Sequence, residues 1–171
     1  VLSVIILSCI NSPQRSAKTT LVNALKELEQ FKDYNFATER SQHLMSLGIP
    51  LNTDSTLKGQ TVFLAERCGE LMHDNIITDR TILDVMAFTM NAKSIPHQDK
   101  EAFETYASEF IREYDYIFYI SPYGLEIEDN GVRETDEHYR DLIDFTITTL
   151  IKRQFVLLML SPYLKEYLMT L

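Results

Sequence analysis

The feature that most constrains the fold is an alternation, kept along nearly the whole chain. Short β-branched or aromatic runs alternate with longer segments whose apolar residues recur every three or four positions. Residues 2–9 form a continuous apolar run, as a strand covered on both faces would. Residues 17–30 place Leu21, Leu25 and Leu28 at helical spacing, and 35–39 read as a weaker strand. A second helix is expected over 56–73, carrying Leu57, Leu64, Cys68 and Leu71. A short strand at 75–79 precedes a helix over 81–91 with Ile82, Val85 and Met86. The next helix, 99–114, lines up Phe103, Tyr106, Ala107, Phe110 and Ile111, and a strand follows at 115–121. A polar loop over 122–134, a helix to about 153, a last apolar strand at 155–160 and a short closing helix complete the pattern. Strands alternating with helices predict an α/β fold: a parallel, roughly five-stranded sheet flanked by helices in three layers.

No internal repeat and no Pro-, Gly- or Ser-rich linker interrupts the 171 residues, so residues 1–171 read as a single domain. A formal net charge of −9 argues against a general nucleic-acid or anionic-membrane binder, which needs a basic footprint, though a local basic groove stays open. Cys9 and Cys68 cannot build a disulfide framework, and His43, His73, His97 and His138 show no metal-ligand spacing. A reducing cytoplasm is the expected setting. Apolar runs such as 155–160 fall far short of the roughly 20 residues of a membrane span. The stretch 4–7 lacks the flanks of a signal peptide and reads as a buried strand.

In such sheets, ligands bind beyond the carboxyl ends of the strands. Directly after the first strand stands Ser12-Pro13-Gln14-Arg15-Ser16-Ala17-Lys18-Thr19, followed by Thr20 inside a helix. The phosphate-binding pattern G-x-x-x-x-G-K-[ST] keeps its Lys-Thr end here, in a strand–loop–helix context. Backbone N–H groups and the helix N-terminus cradle phosphate, Lys18 reaches the outer phosphates, and Thr19 offers its hydroxyl to Mg²⁺. Ser12 and Ala17 replace both glycines of the pattern, and glycine serves there for positive φ and close backbone approach. The alternative is an ordinary strand-to-helix turn with a solvated lysine.

On four segments taken in order, the chain resembles the small P-loop nucleoside and nucleotide kinases. The resemblance is in particular to the AAA_28 group, which includes the ribosylnicotinamide kinase domain of NadR. The segments are Ser12 to Thr19; Thr38-Glu39-Arg40; Thr78-Asp79-Arg80 with Asp84; and Asn130-Gly131-Val132-Arg133 leading to Arg140. The form of the loop is also similar to that of some phage-encoded kinases acting on nucleotides or on modified pyrimidines in DNA.

The resemblance implies a P-loop NTPase fold, ATP and Mg²⁺ as cofactors, and phosphoryl transfer to a nucleoside, nucleotide or related small acceptor. It implies that Asp79 orients Mg²⁺ or takes the acceptor's proton, with Glu39 as an alternative base, and that Arg80 holds acceptor or phosphate. A lid over 122–140 would bring Arg133, and Arg140 two helical turns on, over the nucleotide. Asp79 has a purely structural alternative as a helix N-cap, Asp84 as a solvated or acceptor-side carboxylate, and Arg140 as one end of an exposed ion pair. Arg40, Asp84 and Tyr123 are positional candidates for the acceptor pocket. The run Tyr116 to Tyr119 reads as sheet core. Self-association, a modified base in DNA as acceptor, and nucleotide binding without turnover remain alternatives.

Overall fold

The computed structural model describes residues 4–8, 17–37, 41–120 and 137–159. Four strands, β1 (Val4–Ser8), β2 (Asn35–Ala37), β3 (Ile76–Thr78) and β4 (Tyr116–Ile120), form one sheet in the order β2-β3-β1-β4. Every pairing is parallel. Six helices accompany them: α1 (Ala17–Lys26), α2 (Ser41–Ser46), α3 (Leu57–Glu70), α4 (Ile82–Asn91), α5 (His97–Ile111) and α6 (Glu137–Met159). Short 3-10 turns at Glu29–Phe31 and Asn52–Asp54 complete the described elements.

The apolar residues sort onto two faces of the sheet. Val4 pairs with both Ile77 and Tyr116, so Ile77 and Tyr116 share one face and Ile117 and Tyr119 take the other. On the first face Val22 of α1 buries against Ile77, with Leu25, Phe31, Tyr34 and Phe36 partly buried around them. On the second, α3, α4, α5 and α6 build the main core, onto which Ile117 and Tyr119 pack. Helix α4 is its centre: Ile82, Leu83, Val85, Met86 and Ala87 are all buried, and α3, α5 and α6 each lie against it. The larger of these, Ile82, Leu83, Val85 and Met86, each contribute roughly 1.5–3 kcal/mol when fully withdrawn from water.

The expectation of a strand at 155–160 is overturned. Helix α6 runs without interruption to Met159, and the described residues hold four strands rather than five. Its buried stripe, Tyr139, Ile143, Ile147 and Leu150, keeps the helical period. Good helix formers then continue through Leu157, Leu158 and Met159, with no Gly or Pro before Pro162. A short apolar run cannot be told from a buried helix by periodicity alone. The reading of Tyr116 to Tyr119 as sheet core holds for alternate residues. Ile117 and Tyr119 meet the core, while Tyr116 and Phe118 stack on each other and stay 43% and 50% exposed.

Candidate active site

The strand order fixes where a ligand site can form. From β1 the chain passes to β2 on one side, and from β3 it passes to β4 on the other. The adjacent carboxyl ends of β1 and β3 are therefore the point at which the connections diverge, the place where open α/β sheets bind ligands. Ile5 pairs with Thr78, so β1 runs three residues beyond its last partner on β3 before leading towards α1. Ala17, Lys18, Thr19 and Thr20 form the opening turn of α1, the first helix described after β1. Ser12, Pro13, Gln14, Arg15 and Ser16 lie outside the described residues, as do Glu39, Arg40, Tyr123 and Arg133.

At the end of β3 the chain turns sharply into α4, and this turn carries the polar residues. Asp79 is buried, at 3% exposure, and its N–H donates to the Ala37 carbonyl of β2 at 3.2 Å. The alternative role of Asp79 as an N-cap is excluded, because Thr81 and Asp84 perform that task. The Thr81 hydroxyl accepts from Leu83 N–H at 3.1 Å, and Asp84 Oδ2 accepts from Thr81 N–H at 2.8 Å, closing a capping box. Ile82 N–H donates to the Tyr114 hydroxyl at 3.1 Å, and burial pushes that phenol's pKa up. Two first-turn amides of α4 are thus spent within the protein.

Asp84 is corrected accordingly. It is neither solvated nor an open acceptor contact: it is 2% exposed, completes the cap and holds Arg80 Nη1 at 3.3 Å. Arg80 is nearly buried and fixed at the mouth of β3. For Arg140 it is the alternative of an exposed ion pair that is corrected: its side chain is only 13% exposed, and Nε lies 3.9 Å from Asp141 Oδ1.

A second layer of charge lies beneath this turn. Arg67 of α3, 3% exposed, places Nη2 2.7 Å from Glu70 Oε1 and 4.0 Å from Glu66 Oε2. The other oxygen of Glu70 is 3.4 Å from the Thr78 hydroxyl. That hydroxyl donates to the Arg80 carbonyl at 2.8 Å and accepts from Arg80 N–H at 3.4 Å. Burial pushes the Glu70 carboxyl up to about 7, Arg67 and Thr78 pull it down, and Glu66 and Asp79 add repulsion. The single Thr78 proton points to the Arg80 carbonyl in the shorter contact, with Glu70 Oε2 as its second, longer acceptor. The sequence signal for this layer is a polar residue on a buried stripe: Gln60, Leu64 and Arg67 share the inward side of α3.

Mg²⁺ takes hard oxygen ligands and is commonly held by one or two carboxylates together with substrate phosphates. The hydroxyl of Thr19 and the carboxylate of Asp79 are donors of that kind. Among the described residues no three His, Cys, Asp or Glu side chains form a self-sufficient metal cage.

Neither a protein-family model nor a curated protein sequence matches the chain. Solved structures do, seven chains matching, two of them of the NadR protein. Against the NadR structure in complex with NAD and AMP-PNP the TM-score is 0.62 at 14% identity, over 91% of this chain and 43% of that one. Against NadR in complex with NR the TM-score is 0.65 at 16% identity, over 91% and 44%. The chain spans less than half the length of these neighbours. What it shares with them over nine-tenths of its own length is their α/β fold.

Proposed function

We propose that the chain is an ATP-dependent phosphotransferase that moves the γ-phosphoryl group to a hydroxyl or phosphate of a nucleoside-like small molecule. The observation that carries this reading is the buried carboxylate Asp79 at the end of β3, beside the strand that leads into the Lys18-Thr19 turn of α1. The NadR neighbours, crystallised with AMP-PNP and NAD and with NR, support nucleotide and nucleoside-like ligands for this fold.

In this reading Lys18 neutralises the outer phosphates, and the loop from Ser12 to Thr20 wraps them with backbone N–H groups. Thr19 and Asp79 would hold Mg²⁺, which would supply positive charge to offset that of the phosphates. Asp79, or Glu39 in its stead, accepts the proton that the acceptor hydroxyl loses as it attacks. Arg80, held in place by Asp84, faces charge developing on the transferred group, and Arg133 and Arg140 add to it from the lid. A phosphoryl-transfer site needs little covalent chemistry from the protein, so positioned charge is its main contribution.

The test is calorimetric titration with Mg-ATP of the wild type and of Lys18→Ala, followed by a screen of nucleosides, nucleotides and pyrimidine-modified DNA as acceptors. Saturable binding that Lys18→Ala abolishes, with transfer to a small acceptor, supports the reading. Binding without any transfer favours a nucleotide-binding regulator, for which Ser12 and Ala17 in the glycine places are the motivating observation. No binding by the wild type refutes the phosphate site.

A further inference from the structure

We propose that Thr78, braced from α3 by Glu70 and Arg67, is a positioning residue that sets the backbone of the Asp79–Arg80 turn. The inference rests on the assignment of Asp79 and Arg80 to phosphoryl transfer made above. The contacts form a continuous path from one element to the other. Arg67 Nη2 meets Glu70 Oε1 at 2.7 Å, Glu70 Oε2 lies 3.4 Å from Thr78 Oγ1, and Thr78 Oγ1 touches both the carbonyl and the N–H of Arg80. Thr78 immediately precedes Asp79, so its side chain reaches over Asp79 to hold the next residue. Asp79 is pinned separately through its own N–H to Ala37, and Arg80 through its guanidinium to Asp84.

Stability alone is a poor reason for this path. A buried ion pair roughly breaks even against apolar residues of the same volume, whereas a displacement of about an ångström in a phosphoryl-transfer group costs rate steeply. Arg67 stands on the inward side of α3, where an apolar residue in line with Leu64 would pack. Its charge instead anchors a carboxyl group that supports the strand end carrying the proposed catalytic residues.

The test compares Thr78→Val, which keeps shape and strand preference but removes the hydroxyl, with Thr78→Ser, which restores it. Amide hydrogen exchange followed by NMR reads the Arg80 N–H directly, with the Ala87 and Ile147 amides reporting the core. Expected is exchange about tenfold faster at Arg80 in Thr78→Val, a smaller change at Ala87 and Ile147, and near-wild-type protection in Thr78→Ser. Mg-ATP turnover with water as acceptor is then expected to show kcat about tenfold lower in Thr78→Val at an unchanged KM for ATP, with Thr78→Ser recovering most of it.

Unchanged exchange at Arg80, or an equal rise at all three amides, overturns the proposal. So does wild-type kcat in a Thr78→Val protein whose Arg80 amide has loosened. If the wild type binds no Mg-ATP, the phosphotransferase reading fails while the exchange result still decides whether Thr78 sets this turn.

Discussion

Replacing Glu70 by Gln is expected to remove a specific slope from the pH dependence of stability. The glutamate is displaced from 4.5 to about 7 by burial at the end of β3. A group whose folded value is raised contributes stability that is fully present below about 4.5. That contribution is lost as pH climbs through about 7, because the unfolded chain releases its proton first. A displacement of this size corresponds to roughly 3 kcal/mol in a fully dry site. The Glu70 side chain keeps 16% of its exposure, so water screens part of the effect, and about 1–2 kcal/mol is the working figure. Glutamine keeps the size and an oxygen that accepts from Arg67, and it does not titrate. Urea unfolding of both proteins from pH 5 to pH 8 measures the effect. The stability of the wild type minus that of Glu70→Gln is expected to fall by about 1–2 kcal/mol across that range. A flat difference would show that burial does not raise the Glu70 carboxyl on folding, and the reasoning would be refuted.

Asp84→Ala is expected to cost about 2 kcal/mol, a fall of roughly 4–8 °C in thermal unfolding followed by circular dichroism. It removes the acceptor of Thr81 N–H and the partner of Arg80 together. The two helical glycines of α3 are expected to respond with opposite signs in the same assay. Gly69→Ala meets no atom within 4 Å and gains up to about 1 kcal/mol from helix propensity. Gly59→Ala puts a Cβ 3.0 Å from Ile49 Cγ2 and 3.3 Å from Thr56 Oγ1, the oxygen that caps the helix, and loses stability. Equal responses would mean that these spacings do not govern the outcome.

The order of strands and helices from β1 to β4 follows from local pattern, and the expected spans end within a few residues of the observed ones. What pattern could not supply is the partner of each face. Helix α6 absorbed the last expected strand because an apolar run fits a buried helix as well as a strand, and only tertiary packing decides. Helix α2 carries too few periodic residues to have been anticipated. At the site, the strand-end position of Asp79 and Arg80 was legible from the sheet pattern, but their neighbours were not. Glu66, Arg67 and Glu70 look like a solvated charge run in the sequence, and it takes the packing of α3 against α4 to enclose Arg67. Asp84 was misjudged because a capping box and an acceptor contact use the same residue type one helical turn from the strand end.

The two sides of the sheet are served by different helices. Among the described residues, α1 is tied down by Val22 and Ile77 with a few half-covered rings, whereas four helices share the opposite core. Were a nucleotide to sit between β1 and α1, as proposed, it would bind the folded arrangement alone, and its affinity would appear as added rigidity on that side. Substrate would then behave as a structural member, and the protection gained on binding would measure how much of the architecture is lent by what is bound.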